Sequence, residues 1–454
     1  MKQHPYKDRI PEIIWEIVFG SLRKAGPLSP GPDALTRHIE YTSELFTMLD
    51  IDFGRWPRVT VTGSKGKGSV AVLLASILQA SGERVGLVSS PEMRRFNERI
   101  RLNGTCVSDE KLVQAAQRIA PAVRTLIERI QPPHYLGTGG VVLALAATLF
   151  AEADISAIVV EAGRGGAYDE SRLVKADVSV LTPIMLEHAD KLGPTVQDIA
   201  RTKALITFPG SPLVTAPQKA EVQEVIETVG KELGSSVFAV ANTSRIEHAA
   251  NSLQGVRCDL QVNEQVFPEL LISLPGLHQA ENAATAIQAT FQLARVAGTS
   301  CTQDGIRRGL QQVRWPGRAQ RIQNQPWILL DGAINRESAE PIAALVEILP
   351  ARKLTAVVCV PKPKDLAGLC AVIGPIVSTM VLTQVPVHHL QWYEDAVAIA
   401  SAFCADVKAI PFAEAAFQAA LAQSGPDDGI LLLGTQSFLG TALTFWDVDT
   451  CRIW

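Results

Sequence analysis

From Arg58 onward the chain alternates between short apolar runs and longer stretches of mixed polarity. The runs "RVTVTG", "RVGLVSS", "ISAIVVEAG" and "DVSVLTPIM" are rich in Val and Ile and punctuated by Gly, Ser or Pro, as buried strands are. A helix-length segment separates the first two, and longer ones separate the others. This rhythm predicts a mostly parallel sheet covered on both faces. Around "HAANSLQGVRCDLQVNEQVFPELLISLPG" short alternating strands predict an antiparallel excursion, and helix returns at "HQAENAATAIQATFQLARVAG". After a Pro-Gly break at "VRWPGRAQ" the strand–helix alternation restarts with "PWILLDGA", "LTAVVCV", "TMVLTQV" and "GILLLGTQSF". Residues 10–50 read as two helices split by the turn-rich "GPLSPGPD". The expected fold class is α/β, with a helical segment at 1–57, a central domain at 58–316 and a smaller α/β domain at 317–454.

Composition narrows the function classes. A chain of 454 residues exceeds one compact core, and 47% hydrophobic with 19% charged residues describes ordered globular domains. The formal net charge of −4 leaves no electrostatic footprint for nucleic acid; the densest basic cluster is Arg94, Arg95, Arg99 and Arg101. No segment reaches the length of a charge-free membrane span, and the opening "MKQHPYKDRIPEIIWEIVFG" is too charged for a secretory signal. The seven cysteines are scattered without a CxxC, so they read as small buried hydrophobes of a reducing cytoplasm.

The chemistry concentrates where strands end. In "VTGSKGKGSV" an apolar strand breaks into a turn and resumes as a helix. Gly63, Gly66 and Gly68 let the backbone curl so that several N–H groups converge, the helix from about Ser69 aims its N-terminus at the same spot, and Lys67 adds a point charge. The spacing is shorter than the generic P-loop, and an ordinary Gly-rich turn is the alternative. Ser90 ends the second strand, Glu161 the third, and His188 follows the fourth. Ligands of open α/β sheets sit beyond the carboxyl ends of strands. Singly, Ser90 reads as a helix cap, Glu161 as a paired acid and His188 as a surface residue. Together a hydroxyl, a carboxylate and an imidazole suit Mg²⁺ bridging to phosphates.

The segments "VTGSKGKGSV", "SSPEMRRFNERIRLNG", "VVEAGRGGAYDESRLVKADVSVLTPIMLEHADKLGPTVQDIARTKALI", "LPGLHQAENAATAI", "WPGRAQ" and "DGAINRESAE" together resemble the folylpolyglutamate synthases of the Mur ligase superfamily. The resemblance runs from about Arg58 to about Gly440, and the shortened loop Gly63, Ser64, Lys65, Gly66, Lys67, Gly68, Ser69 looks like the Mur-type ATP loop. It implies a central P-loop domain and a Rossmann-like C-terminal domain that closes over ATP. It implies magnesium ligands at Ser90, Glu161 and His188, with Lys203 as a lysine carbamylated in many members. It places Asn282 near adenine, Arg318 on phosphates and Asp331 near ribose. Lys67, His188, Lys203 and Arg318 are then the catalytic set. The implied reaction joins a carboxylate, activated by ATP as an acyl phosphate, to an amino acid, with glutamate and a folate-type acceptor first in line. The expected protein is a cytoplasmic monomer without nucleic-acid or membrane partners.

Three places depart from the family pattern. Ser-Pro-His becomes Ser90-Pro91-Glu92, a Phe-Glu pair is missing from "PPHYLGTGGVVLALAA", and Asp-x-Ala-His-Asn-Pro becomes Asp331-Gly332-Ala333-Ile334-Asn335-Arg336. Glu92, Ile334, Asn335 and Arg336 are therefore the candidate substrate-pocket residues. Intact ATP and metal positions beside altered substrate positions leave two alternatives open. One is a ligase with a non-folate acceptor or non-glutamate amine in specialised metabolism. The other is a nucleotide-binding protein without turnover.

Overall fold

The computed structural model describes residues 10–27, 30–348, 351–387 and 390–454. Residues 1–9 of the N-terminal segment, and Leu28 and Ser29 of the "GPLSPGPD" break, lie outside the described residues.

Three sheets carry the fold. The first holds β1 (Arg58–Thr62), β2 (Val85–Val88), β3 (Ile100–Leu102), β4 (Thr105–Cys106), β5 (Ala157–Glu161), β6 (Val178–Leu181), β7 (Leu213–Thr215) and β8 (Val237–Ala239), in the order β4-β3-β2-β5-β1-β6-β7-β8. All its pairings are parallel except β2–β3 and β3–β4. The second is the expected antiparallel excursion, β9 (Ser244–Ser252), β10 (Gly255–Val262) and β11 (Gln265–Ile272). The third holds β12 (Gln320–Asn324), β13 (Trp327–Asp331), β14 (Leu354–Cys359), β15 (Thr379–Gln384), β16 (Val407–Phe412) and β17 (Gly429–Gly434), in the order β12-β13-β17-β14-β15-β16. Only its β12–β13 pair is antiparallel. No regular element covers 313–319, the stretch that joins the helix Gln303–Gln312 to β12.

Strand periodicity explains the layers. In β5, Ala157 and Val159 join one apolar cluster, while Ile158 and Val160 join another on the opposite face. The first cluster packs the helices Lys67–Ala80, Gln279–Ala297 and Gln303–Gln312 against β1 and the antiparallel sheet. The second packs the helices Asp109–Arg129 and Thr138–Glu152 with Ile14 and Ile17 of the N-terminal helix Glu12–Ala25. The third sheet repeats the arrangement, with Leu329, Val358 and Leu431 facing one way and Leu330, Val357 and Leu432 the other. The helix Lys67–Ala80 is apolar almost all round, with Val70 through Ala75 fully buried, so it is a core helix rather than an amphipathic one. Truncating Leu74 there should cost about 2–5 kcal/mol.

The sequence reading did not anticipate β3, β4, β7, β8, β12 or β16. Most are short or lie at a sheet edge; β12 is the polar "QRIQN", and β16 contains Pro411, which an edge strand tolerates. Of the N-terminal pair of helices, Glu12–Ala25 and Ile39–Met48 are present, joined through a one-turn helix at Asp33–Thr36. Among the described residues no helix is long and apolar enough to cross a membrane.

Candidate functional site

The turn after β1 is built as glycine chemistry requires. Gly63 has φ +138° and Gly66 φ +81°. A Cβ on Gly63 would stand 2.0 Å from Thr182 Oγ1, so β6 passes too close for any side chain. The N–H groups of Ser64 and Lys65 both reach the Pro183 carbonyl, at 2.9 and 3.3 Å, which ties the loop to the end of β6. The helix Lys67–Ala80 then begins, its first turn aimed out of the loop. Lys67 Nζ rests 3.1 Å from the Gly63 carbonyl oxygen.

The loop opens into a cleft of about 640 Å³. Lys65, Gly66 and Ser69 line one wall, Asn282 and His278 another, and Arg318 of the 313–319 segment joins Asp331 and Ile334 from the end of β13. Asn282 Nδ2 donates to Gln279 Oε1, and its Oδ1 would lie 3.0 Å from a Cβ at Gly66. Asp331 Oδ2 accepts the Ala319 N–H at 2.8 Å, so the end of β13 holds the segment that carries Arg318. Burial pushes the Asp331 carboxyl up despite Arg318 and the N–H groups of Ala319 and Ala333. His278 is held below the usual histidine range by burial and by Arg318.

Beyond Lys67 lie two groups of polar side chains. In the first, Ser90 and Glu161 end adjacent strands and touch, with Arg101 close by and Trp315 against Gly68. Glu161 is 9% exposed, and burial raises its carboxyl even though Lys67, the Ser90 N–H, Arg318 and Arg101 work the other way. In the second, Lys203 is fully buried and donates to the carbonyl oxygens of Gly63 (2.9 Å) and Arg164 (2.6 Å), with Glu187 Oε1 at 3.2 Å. Burial and Lys67 lower the Lys203 amine to about 8, although Glu187 opposes them. Burial raises the Glu187 carboxyl, but Lys203, Ser64 and Lys67 outweigh it and leave it low. His188 faces solvent in the left-handed region, φ +48°; desolvation and the cations Arg164, Lys203 and Lys364 lower it against Glu187.

Among the described residues, no three His, Cys, Asp or Glu side chains gather into a cage for a metal. Mg²⁺ does not need one, because it takes one or two carboxylates and fills its shell with phosphate oxygens and water. A buried Glu161 that accepts the Ser90 main-chain N–H and lies beside the loop Gly63–Ser69 offers one carboxylate of the kind that donor set needs. Lys203 as it stands has the three acceptors of an ammonium; a carbamate would keep one N–H and turn its oxygens elsewhere.

The four substrate-pocket candidates separate. Ile334 lines the cleft. Glu92 is turned away into an ion pair with Arg99 at 2.5 Å, both side chains mostly buried. Asn335 Oδ1 accepts the Ser338 N–H at 3.0 Å as the cap of the helix Arg336–Val346. Arg336 is exposed, with its Cβ beside Gly368. Sequence reasoning missed His278 and Arg101 as site residues. Arg101 sat in the densest basic cluster, but only the β3–β4 hairpin shows it 2% exposed and facing Glu161. It also missed the clamp under the loop after Glu161, where Arg164 pairs with Asp33 through two hydrogen bonds of 2.8 and 2.9 Å.

Family models match twice: the Mur ligase middle domain over residues 134–290 and the Mur ligase glutamate ligase domain over residues 317–436. The chain is 32% identical over 437 residues to a probable bifunctional folylpolyglutamate synthase/dihydropteroate synthase of Halobacterium salinarum, covering 94% of this chain and 50% of that one. It thus spans half the length of that relative. It is 30% identical over 328 residues to the folylpolyglutamate synthase of Lacticaseibacillus casei, covering 72% of this chain and 76% of that one. Among solved structures, the bifunctional folylpolyglutamate synthase/dihydrofolate synthase of Yersinia pestis, complexed with AMPPNP and a Mn ion, superposes with a TM-score of 0.76 at 25% identity, covering 93% of this chain and 95% of that one. The chain belongs to the folylpolyglutamate synthase family of the Mur ligases.

Proposed function

We propose that the protein is an ATP-dependent, ADP-forming ligase that adds glutamate to a folate-type carboxylate. The observation that carries the reading is the phosphate loop opening into a cleft that Asn282, Arg318 and Asp331 also line. In this reading Asn282 meets adenine and Asp331 the ribose. Lys67 and Arg318 neutralise charge on the transferred phosphoryl group. The acceptor carboxylate oxygen attacks the γ-phosphorus and ADP leaves. The amine of glutamate then attacks the acyl carbon and phosphate departs, leaving an amide. The chain's part is to position the partners and stabilise phosphoryl charge. Walls from both large sheets keep water from the acyl phosphate.

Ser90, Glu161 and His188 would hold Mg²⁺, which when bound neutralises phosphate charge. The Mn ion and AMPPNP of the Yersinia relative support a divalent ion with the nucleotide. Carbamylation of Lys203 belongs to the same reading, its buried amine gaining CO₂ and losing a proton; intact-protein mass spectrometry would read the gain of one CO₂.

ADP release tests the function, measured with glutamate and either tetrahydrofolate or dihydropteroate. Release that needs both the acceptor and glutamate supports it; release indifferent to either overturns it. Ile334 in the cleft wall favours a second reading, a different acid–amine pair, which the same assay with a panel of acids and amines would reveal.

A further inference from the structure

A second cleft, of about 600 Å³, lies away from the loop Gly63–Ser69. Its walls come from the β9–β10 turn, the end of the helix Gln303–Gln312, the edge strand β12 and the last residues of the chain. Arg314, Arg321 and Arg452 line it together with Gln254, Gln311 and Trp454, and among the described residues no Asp or Glu lines it. Such a cluster runs against a chain whose net charge is −4.

The guanidinium groups are free to bind. Among the described residues, neither Arg314 nor Arg321 has a side-chain hydrogen bond or ion pair, and Arg452 uses Nε on the Trp454 main-chain oxygen at 3.1 Å. The indole of Trp454 packs over Gly104 and walls one side of the cleft. The frame is built by main-chain bonds: Arg314 N–H to the Ile453 oxygen at 2.7 Å, and Ile453 N–H to the Gly104 oxygen at 2.9 Å. Three arginines lining one concavity give it a positive character that suits an anion, and the planar fork of arginine matches carboxylate and phosphate oxygens alike.

We infer that this cleft is a second, non-catalytic binding site for a small linear polyanion, carrying two or more carboxylate or phosphate groups. The inference is independent of which acid and amine the ligase joins. A ligand here would cross-link the second, antiparallel sheet, the 313–319 segment and the third sheet, and so bias how the two large bodies meet over ATP.

Isothermal titration calorimetry tests it on the full chain, with the nucleotide cleft saturated by a non-hydrolysable ATP analogue. The probes are γ-linked triglutamate, as the carboxylate source, and tripolyphosphate, as the phosphate source. The comparison is Arg314→Gln/Arg321→Gln, with Arg321→Glu alone as a second variant on the exposed edge strand. The expected result is binding of at least one probe that weakens at least tenfold in both variants and with added salt. ATP-analogue affinity and melting temperature should stay unchanged. Triglutamate responding would name a carboxylate ligand, tripolyphosphate a phosphate one. No heat from either probe, or affinity equal in wild type and variants, overturns the inference.

Discussion

The main-chain N–H of Ser90 donates to Oε2 of Glu161 at 3.1 Å, across the ends of the paired strands β2 and β5. This contact gives a buried carboxylate a neutral donor, while burial pushes its carboxyl up. A carboxyl raised in the folded state weakens folding once it ionises, so the penalty is absent at low pH, grows as pH rises above the unfolded carboxyl's pKa and levels off above the raised folded one. Glu161→Gln should therefore melt at the same temperature or about 1–3 °C higher at neutral pH, with the difference vanishing in acid. Turnover should fall on the order of 10²–10³-fold. Calorimetry across pH beside an ADP-release assay checks both; a clear loss of stability would mean that Glu161 is a structural acid.

Gly63 should not tolerate even a methyl group. Its φ of +138° and the Thr182 Oγ1 standing 2.0 Å from the would-be Cβ combine strain with a clash. Gly63→Ala is expected to lose about 2–4 kcal/mol in a urea melt, along with nucleotide binding. Gly66→Ala, whose Cβ would meet Asn282 Oδ1 at 3.0 Å, should lose less.

Glu92 is engaged by Arg99 and so is not available to a substrate. A double-mutant cycle of Glu92→Gln and Arg99→Gln should give a coupling energy of about 1 kcal/mol in stability. The kcat/KM of Glu92→Gln should stay within about threefold of wild type, because only packing is disturbed. A far larger drop in kcat/KM with stability unchanged would return Glu92 to the substrate pocket.

Ile334 is the altered residue that does line the cleft. If its aliphatic side chain limits folate chemistry, Ile334→His should raise kcat/KM for tetrahydrofolate and glutamate roughly tenfold or more, since a matched polar contact discriminates strongly. The KM for ATP should not move. Steady-state kinetics with each substrate varied in turn decides it, and an unchanged or lower kcat/KM rules out Ile334 as the cause.

Lys67→Ala should keep the fold and lose turnover. Among the described residues its Nζ makes one hydrogen bond, to the Gly63 carbonyl oxygen, so little packing depends on it. Circular dichroism should match wild type while ADP release falls by on the order of 10² or more.

The sequence by itself determined the frame. The runs that became β1, β2, β5 and β6, and later β13, β14, β15 and β17, are legible because a strand buried on both faces must be apolar along its length. Gly63, Glu161 and His188 could be placed beyond strand ends because topology puts connecting loops there. The third dimension decided what those residues meet. Arg101 looked like one charge in a basic cluster until the β3–β4 hairpin buried it facing Glu161. Glu92 and Ile334 were equal candidates in the chain, yet one turns into an ion pair with Arg99 and the other into the cleft. Arg452 lies far in sequence from Arg314 and Arg321, and joins them only because the chain's last residues fold back onto the 313–319 segment. Periodicity reports which residues leave water, because each element must bury one face wherever it packs. Which side chain then finds a partner depends on contacts between distant segments, and a single sequence carries no local pattern for those.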